Sequence, residues 1–443
     1  MRVIIVGAGE VGYQIAKFLS LESVDVVVID KDREKTNRIA EEIDIAVVDG
    51  EGGSPASLKE AEADKADMLL AVTDQDETNM IACLLAKAMF GIPRKIARIR
   101  NPDYFSNERL LKALDIDPAI NPELEIAKAI VRILEAPFAS EIEDFERGLV
   151  KVIGFKIPET SPLIGRPLKA VGVGLGSKLL IGLVVRDEKT FVPTGDDSIM
   201  LGDIVYMPVI PGALHETAAL LGIPVSPVKK VMILGGGRTG YHIAARIEHK
   251  ADVKVLEKSE ERCKFLSKNL SRSLILHADG TEQKILLEEN IGNMDAFVSV
   301  SNNDELNIMV SLLAKKLGVK KTVTLVNKTD YITLAHGLGI QSVLSPRLIT
   351  AGTILRYVRR GDILSLTAIA DAKAEILEGR IGRTSPLIGK SLQKAQPKAS
   401  IVGAIIRGDT VIIPSGQDIL REEDKLIIFT MRESIKHVEK MLR

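Results

Sequence analysis

Two glycine-rich segments of this chain have the spacing of a phosphate-binding turn. They read GAGEVG at 7–12 and GGGRTG at 235–240, and each directly follows a short apolar run. In a turn from strand to helix, the first glycine allows the tight bend, the second lets the backbone approach a pyrophosphate, and the third allows the helix to pack closely on the strand. The helix that follows offers N–H groups and a partial positive charge to phosphates. Each segment by itself is also compatible with an ordinary tight turn.

An acidic residue follows each glycine segment at the distance typical of a ribose ligand. Asp30 lies 18 residues after Gly12, and Glu257 lies 17 residues after Gly240, each at the end of a predicted strand. A carboxylate at this place accepts hydrogen bonds from ribose hydroxyls and would repel a 2′-phosphate. The two complete sets therefore predict nucleotide binding in both copies, with NAD favoured over NADP.

Further candidates follow the third and fourth predicted strands, because the C-terminal ends of strands line the ligand crevice of an open α/β sheet. They are Asp49-Gly50 and Thr73-Asp74 in the first copy, and Asp279-Gly280 and Ser301-Asn302 in the second. The Asp-Gly pairs could border the adenine end of a nucleotide or form ordinary turns. The other two pairs could meet the crevice or cap the helices that follow, and these two roles are compatible.

The two copies differ in the charged residues near the expected phosphates. Arg98, on the fifth predicted strand, could reach a phosphate, whereas the second copy has Leu325 near the matching place. The second loop carries Arg238 where the first carries Glu10. An arginine beside a phosphate loop suits ATP or ADP, and a glutamate repels additional phosphates. We therefore expect NAD(H) in the first site and ATP or ADP as an additional ligand of the second, unless Arg238 is simply a solvated surface residue.

The predicted nucleotide-binding residues form two sets, and no catalytic or metal-ligating residue is predicted. The first set is Gly7, Ala8, Gly9, Glu10, Val11, Gly12, Asp30, Asp49, Gly50, Thr73, Asp74 and Arg98. The second set is Gly235, Gly236, Gly237, Arg238, Thr239, Gly240, Glu257, Asp279, Gly280, Ser301 and Asn302.

The elements that must position these residues belong to a duplicated chain. VTDQDETNMIACLLAKAMFG (72–91) matches VSNNDELNIMVSLLAKKLGV (300–319) at an offset of 228 residues, the same as for the glycine segments. SPLIGRPL (161–168) matches SPLIGKSL (385–392) at an offset of 224. Each half is therefore a large unit followed by a small one. The length of 443 residues alone suggests about three domains, but the repeat predicts four: 1–137, 138–225, 226–358 and 359–443.

The large unit alternates apolar runs such as VIIV (3–6) with helical patterns of about ten residues, such as 11–19 and 33–42. This alternation is typical of βαβ units around a parallel sheet that is covered on both faces. The predicted fold class is therefore α/β, with two Rossmann-like doubly wound parallel sheets, each followed by a small α+β domain. Helical patterns over 124–136 and 348–358 are expected to bridge the large and small domains or to pack against a partner subunit.

The composition excludes several classes of protein. The net charge is −1, aromatic residues make up 4% and Trp is absent, so we expect no nucleic-acid binding. Two cysteines are too few for a disulfide framework or a multi-cysteine metal site. A membrane-spanning helix needs about 20 apolar residues, and neither such a run nor a signal-peptide pattern is present, so we expect a cytoplasmic protein.

Two other functions remain alternatives at this point. A nicotinamide-dependent oxidoreductase would need a positioned acid or base, and of the six scattered histidines only His277, two residues before Asp279, has a suggestive place. The other alternative is a soluble nucleotide sensor without a membrane partner. Arg186 and Arg407, at matching places in the small units, could bind a further ligand or stabilise turns.

Several segments together resemble the nucleotide-binding domain of ligand-gating subunits of potassium channels and transporters, the RCK or KTN domains. They are GAGEVGYQIAKFLS, VVVIDKD, VVDGEG, VTDQDETNMIACLLAK and IARIRNPDY. SPLIGRPL and SPLIGKSL resemble the small C-terminal domain attached to them, so the resemblance covers essentially the whole chain.

The resemblance implies a regulatory subunit that assembles as a ring of four chains beneath a membrane potassium transporter, peripheral to the inner face of the membrane. It also implies that NAD(H) and ATP or ADP bind to the large domains and that binding changes the shape of the ring and gates the transporter. By the family pattern, the two sets of residues above would form the sites. The missing equivalent of Arg98 leaves the NAD affinity of the second site in question.

Overall fold

The chain forms two compact units, each built from two separate stretches. Unit 1 contains Met1–Leu134 and Val228–Val358, and unit 2 contains Glu135–Pro227 and Arg359–Arg443. The computed structural model describes residues 1–21, 24–170, 179–187, 189–340, 342–358, 363–369, 374–395 and 399–442. Each unit thus joins one stretch from each half of the repeat, and the four domain boundaries given above remain predictions.

Unit 1 contains two six-stranded parallel sheets with the same strand order. The first sheet runs β3-β2-β1-β4-β5-β6, and the second runs β14-β13-β12-β15-β16-β17. The strands of the first are β1 (Arg2–Val6), β2 (Asp25–Asp30), β3 (Ala46–Asp49), β4 (Met68–Ala71), β5 (Arg94–Arg98) and β6 (Ala119–Ile120). Those of the second are β12 (Lys230–Leu234), β13 (Asp252–Glu257), β14 (Leu274–His277), β15 (Ala296–Ser299), β16 (Lys321–Leu325) and β17 (Ser342–Leu344). The order reverses beside β1 and β12, which is where Rossmann folds bind their ligands, and the predicted fold class is confirmed.

Helices cover both faces of these sheets. The first set is α1 (Glu10–Leu21), α2 (Arg33–Glu42), α3 (Pro55–Glu60), α4 (Asp76–Ala88), α5 (Pro102–Phe105), α6 (Glu108–Leu114) and α7 (Pro122–Glu135). The second set is α9 (Arg238–Ile247), α10 (Glu260–Asn269), α11 (Gln283–Glu288), α12 (Asp304–Lys316), α13 (Asp330–Gly337) and α14 (Pro346–Val358). Apart from the first residues of β1 and β12, the central strands β1, β4, β12 and β15 are buried on both sides, whereas the edge strands β3 and β14 are partly exposed.

The last helix of each Rossmann fold packs on the other Rossmann fold. Ile126 and Ile130 of α7 join the core formed by β12, β13 and α9. Ile354 of α14 joins the core formed by β1, β2 and α1. The two helices are therefore exchanged within unit 1, an arrangement that neither of the two expectations for these segments included. The apolar stripe of a helix shows that one face must be buried, but the pattern does not specify which domain buries it.

Glu248, directly after α9, fixes the turn that leads into β14. Its two carboxylate oxygens accept hydrogen bonds of 2.9–3.2 Å from the backbone N–H groups of Ser271, Arg272 and Ser273 and from both serine hydroxyls. Burial opposes ionisation of this group, but the hydrogen bonds to the charged form outweigh it and lower the pKa of Glu248 to about 2.

Replacement of Glu248 by glutamine is expected to lower the free energy of unfolding at pH 7 by on the order of 2 kcal/mol. Because the folded-state pKa is depressed, the wild-type contribution is present above about pH 4.5 and is lost as the pH falls toward 2. Urea unfolding between pH 7 and 3 should therefore show a flatter pH dependence for Glu248→Gln. Glu288→Gln, at an exposed ion pair with Lys284, is the control, and equal slopes in the two variants would contradict this role.

Unit 2 contains two five-stranded antiparallel sheets, ordered β10-β9-β11-β8-β7 and β18-β19-β22-β20-β21. The elements of the first are β7 (Ala139–Phe145), β8 (Val150–Lys156), β9 (Leu183–Arg186), β10 (Lys189–Phe191), β11 (Ile204–Val209) and α8 (Leu214–Leu220). Those of the second are β18 (Ile363–Ile369), β19 (Ala374–Arg380), α15 (Leu392–Ala395), β20 (Ser400–Arg407), β21 (Thr410–Ile412), β22 (Lys425–Met431) and α16 (Ile435–Leu442). One apolar cluster joins the two sheets, and the Phe429 ring fills space left by Gly182 and Gly403.

Arg186 and Arg407 each make a two-pronged ion pair with a buried carboxylate. Arg186 donates from Nε and Nη2 to Asp203 at 2.9 and 2.7 Å, and Arg407 donates in the same way to Asp424 at 2.8 and 2.7 Å. Both aspartate side chains are 1% exposed. Of the two roles considered for these arginines, the geometry therefore supports the structural one.

Some features are absent from the described part of the chain. No helix there is long and apolar enough to cross a membrane. No group of three or more His, Cys, Asp or Glu in the same residues is arranged to hold a metal ion. Cys83 and Cys263 are buried free thiols, and burial raises the pKa of Cys83 to about 12.

Candidate functional site

The two glycine loops have matching geometry. Gly7 and Gly235 adopt φ angles of +112° and +106°, which favour glycine. A Cβ atom at Gly12 would lie 1.9 Å from the Gly7 carbonyl oxygen, and one at Gly240 would lie 1.9 Å from the Gly235 oxygen. The first and third glycines of each segment are therefore required by the turn and by helix packing.

The acid at the end of the second strand holds the glycine loop in both copies. Asp30 accepts hydrogen bonds from the backbone N–H of Ala8 at 2.6 Å and of Asp32 at 2.9 Å. Glu257 accepts from Gly236 and Ser259, both at 2.7 Å. A carboxylate oxygen has more than one lone pair, so each acid can position its loop and still accept a hydrogen bond from a ribose hydroxyl.

The residues present fit a nucleotide pyrophosphate. Ideal Cβ positions at Gly9 and Gly237 have no atom within 4 Å, so the backbone at the middle glycine of each loop is open to an approaching group. Helices α1 and α9 begin directly after these glycines. The Nε atom of Arg98 is buried and has no hydrogen-bond partner in the structure, so a phosphate oxygen would satisfy it.

A buried asparagine joins the ends of the fourth and fifth strands of each sheet. Asn79 accepts from the Thr73 N–H at 2.9 Å and donates to the Arg98 carbonyl at 2.8 Å. Asn307 accepts from the Ser301 N–H at 3.0 Å and donates to the Leu325 carbonyl at 2.9 Å. The asparagine thus holds both strand ends at the crevice, a role that the sequence analysis did not assign.

The predicted adenine ends differ between the copies. In the first, the Thr36 hydroxyl donates to Asp49 at 2.5 Å. In the second, Asp279 accepts from the Lys258 ammonium at 2.8 Å and from the Thr281 hydroxyl at 2.7 Å. The Lys258 hydrogen bond, followed by those from Thr281, lowers the pKa of Asp279 to about 2. Asp279 is therefore ionised at every physiological pH.

A cavity of about 430 Å³ lies between the two Rossmann folds of unit 1 and contains residues of both predicted sites. The predicted residues that line it are Val11, Asp74, Arg98, Gly237, Arg238, Thr239, Ser301 and Asn302. The wall also includes Arg100, Pro122, Glu123, Ile126, Val300, Leu325, Asn327, Pro346, Arg347 and Thr350. The remaining predicted residues of both sets lie outside this wall. Parts of two sites that the sequence presented as separate thus border a common cavity.

Four arginines line this cavity, and each contacts an acid or a carbonyl. Arg98 donates to Asp74 at 2.6 Å, and Arg100 donates to Glu123 at 2.5 and 2.8 Å. Arg238 donates to the carbonyl of Arg100 at 3.4 Å, which links the second glycine loop to the first Rossmann fold.

The fourth arginine, Arg347 at the start of α14, lies 3.8 Å from the Glu10 carboxylate, and Arg38 of α2 lies at the same distance from it. Glu10 in the first glycine loop is therefore paired with one arginine from each half of the chain. The four arginines make the cavity a favourable place for a phosphate-bearing ligand.

Sequence reasoning missed several residues of this site. Arg100, Glu123 and Arg347 lie outside the glycine motifs, and only the exchanged helices bring Glu123 and Arg347 to the cavity. Arg262 was also missed, although it donates to the Gly236 carbonyl at 2.8 and 3.1 Å. The signal available for Asn79 and Asn307 was their matching place, 228 residues apart, in the first turn of two helices.

Family models match most of the chain. The TrkA-N domain model matches residues 3–122 and 231–346, and the TrkA-C domain model matches 152–222 and 376–443. The chain belongs to the TrkA family. It is 35% identical to the Trk system potassium uptake protein TrkA of Azorhizobium caulinodans, over 100% of this chain and 99% of that protein. It is 36% identical to the Trk system potassium uptake protein TrkA homolog 1 of Methanosarcina mazei, over the full length of both.

Solved structures share the fold of this TrkA-family chain. The GsuK channel bound to NAD superposes with a TM-score of 0.62 at 16% identity, over 100% of this chain and 78% of that one. The GsuK RCK domain superposes with a TM-score of 0.61 at 17% identity, over 100% of this chain and 94% of that one. The resemblance to RCK domains is therefore confirmed at the level of fold.

Proposed function

We propose that this TrkA-family chain is the nucleotide-binding regulatory subunit of a membrane potassium transporter of the Trk type. NAD(H) and ATP or ADP bind at its two Rossmann loops, and their binding gates the transporter. The family membership supports the transport system, and the GsuK channel, which shares the fold, has been solved bound to NAD. The chain works at the inner face of the membrane, peripheral to its partner.

The observation that carries this proposal is the position of the arginine-lined cavity between the two Rossmann folds. A phosphate ligand there contacts side chains from both folds, so its affinity depends on how the folds are arranged. A ligand shifts a conformational equilibrium only through such a difference in affinity between two states. A coupling of about 1–3 kcal/mol is typical of allosteric proteins.

A regulatory role fits the cavity better than catalysis does. A nicotinamide-dependent oxidoreductase requires an acid or base beside the reacting carbon. The residues described as lining the cavity include no His, Lys, Cys or Tyr. Its two carboxylates, Asp74 and Glu123, are each paired with an arginine. We therefore propose that the chain is not an enzyme.

The chain assembles, on this proposal, as a ring of four copies, and exposed apolar side chains at related places in the two Rossmann folds are suited to the contacts between subunits. Ile81 and Leu84 on α4 are 44% and 39% exposed, and Met309 on α12, at the place that matches Ile81, is 66% exposed. Leu334 and Leu338, on and directly after the neighbouring helix α13, are also exposed. Apolar helix faces of this kind are suited to contacts between subunits.

Arg98→Gln is expected to weaken ATP and ADP binding at least tenfold, because a charge-assisted hydrogen bond to phosphate is worth about 1.5–3 kcal/mol. Calorimetric titration measures the affinity. Potassium flux into vesicles that contain the transporter, with and without the chain and nucleotide, tests whether the bound nucleotide regulates transport. The nucleotide dependence of that flux should weaken in the variant.

Arg109→Gln, at an exposed position on α6, is the matched control for this experiment. It removes the same charge outside the cavity and should leave both affinity and flux unchanged. Equal nucleotide affinities in the two variants would show that Arg98 does not contact phosphate. A potassium flux that is the same with and without the chain and its nucleotides would contradict the regulatory role.

A further inference from the structure

The ion pair between Arg100 and Glu123 joins two different elements on the wall of the cavity. Arg100 lies just after β5, and Glu123 is the second residue of α7. Nε and Nη2 of Arg100 both donate to one carboxylate oxygen, Oε1, at 2.8 and 2.5 Å. The pair thus connects the first Rossmann fold to the helix that packs on the second one.

Only one of the two oxygens of the Glu123 carboxylate accepts hydrogen bonds. Its side chain is 12% exposed, and its second oxygen, Oε2, is buried without a hydrogen-bond partner. A buried carboxylate oxygen without a donor carries a desolvation cost. The neighbouring pair differs in this respect, because the Asp74 side chain that meets Arg98 is 86% exposed and is solvated by water.

Arg100 itself is held firmly by its backbone. The Asp76 carboxylate accepts hydrogen bonds from the Arg100 N–H at 3.0 Å and from the Asn101 N–H at 2.7 Å. The Arg100 carbonyl accepts from Arg238 and Asn121. These contacts, to residues of both folds, fix the Arg100 backbone at the cavity wall, and its side chain, 40% exposed, is accessible to a ligand.

We propose that Glu123 is an internal anion that occupies Arg100 until the terminal phosphate of an adenine nucleotide displaces it. Glu123 thereby sets the affinity of the cavity for ADP and ATP relative to NAD, whose pyrophosphate has no terminal phosphate group. It acts through Arg100 and is a positioning residue. This inference rests on the proposed function, because it assumes that a nucleotide enters the cavity.

The displacement also links the ligand to helix α7. Release of Glu123 removes the contact between the first turn of α7 and Arg100, while Ile126, Ile130 and Leu134 keep the helix in the core of the second fold. Asn121, between β6 and α7, keeps its hydrogen bond to the Arg100 carbonyl, so the start of the helix stays anchored to the first fold. Binding of a terminal phosphate, but not of NAD, therefore loosens the first turn of α7 at the cavity wall.

The test compares Glu123→Gln with Glu125→Gln in the full-length chain. Both residues lie in the first turn of α7, and Glu125 is 17% exposed and pairs with Lys128 at 2.7 Å, outside the cavity wall. Calorimetric titration with ADP, ATP and NAD should show about tenfold tighter binding of ADP and ATP to Glu123→Gln, since the competing anion is lost. The NAD affinity of both variants and the ADP affinity of Glu125→Gln should equal those of the wild type.

Hydrogen exchange of the first-turn amides of α7 gives a second readout. Addition of ADP should increase their exchange in the wild type, whereas in Glu123→Gln exchange should be high without ADP. Equal ADP affinities in Glu123→Gln and Glu125→Gln, with binding to the wild type intact, would overturn this inference alone. If the wild type bound none of the three nucleotides, the inference and the proposed function would both be overturned.

Discussion

Replacing Gly12 or Gly240 with alanine is expected to remove nucleotide binding from the Rossmann fold that carries the change. The added Cβ atom would lie 1.9 Å from the carbonyl oxygen of Gly7 or Gly235, so the backbone of the loop has to move. Overpacking of this kind costs about 1–3 kcal/mol of stability, and the displaced loop no longer presents its N–H groups to a pyrophosphate. Calorimetric titration should show at least a hundredfold loss of affinity at that site, equal to about 2.8 kcal/mol.

Gly352→Ala is the control for these two variants. Gly352 lies in α14, where an added Cβ atom has no neighbour within 4 Å, so the same chemical change meets no obstacle. Alanine in a helix is more stable than glycine by about 0.5–1 kcal/mol, and nucleotide binding should be unchanged. Normal binding by Gly12→Ala or Gly240→Ala would show that the close packing of the loop on its helix is not needed for binding.

Replacing Asp203 or Asp424 with alanine is expected to destabilise unit 2 by about 3–5 kcal/mol. Each aspartate side chain is 1% exposed and neutralises an arginine, Arg186 or Arg407, through two hydrogen bonds. Each also accepts a backbone N–H at 2.8 Å. Removal of the carboxylate leaves a partly buried guanidinium and a backbone donor without partners. Urea unfolding followed by circular dichroism measures the change.

Asp196→Ala is the matched control in the first small domain. Asp196 pairs with Lys169 at 2.6 Å, but its side chain is 82% exposed. Exposed ion pairs contribute about 0–1 kcal/mol, so this variant should unfold almost as the wild type does. If Asp203→Ala cost no more than Asp196→Ala, the buried ion pair would not be a source of stability.

The Rossmann folds and their loops could be predicted from the sequence because the signals are local. Apolar runs that alternate with helical patterns predicted the order of strands and helices, and helix α2 (Arg33–Glu42) has the predicted bounds. The spacing from Gly12 to Asp30 predicted a ribose ligand at the end of β2, and the structure shows in addition that the Asp30 carboxylate accepts a hydrogen bond from Ala8 of the loop. The binding role of these residues remains a prediction, and the structure supplies their geometry.

The shared cavity could not be predicted, because it depends on contacts between distant parts of the chain. The pattern of α7 shows an apolar stripe but not that the second Rossmann fold buries it. The pairing of Arg100 with Glu123 follows only from that docking. The loss of an arginine at Leu325 was read as a weakness of the second site, whereas Arg98 and Leu325 line the same cavity.

Calorimetric titration of the double variant Gly12→Ala/Gly240→Ala decides whether both Rossmann loops bind nucleotides. NADH, NAD, ADP and ATP are each titrated into the wild type, the double variant and Gly352→Ala. The wild type and Gly352→Ala should bind nucleotide, and the double variant, still folded by circular dichroism, should bind none. A folded double variant that binds any of the four as tightly as the wild type would show that the loops are not the binding sites.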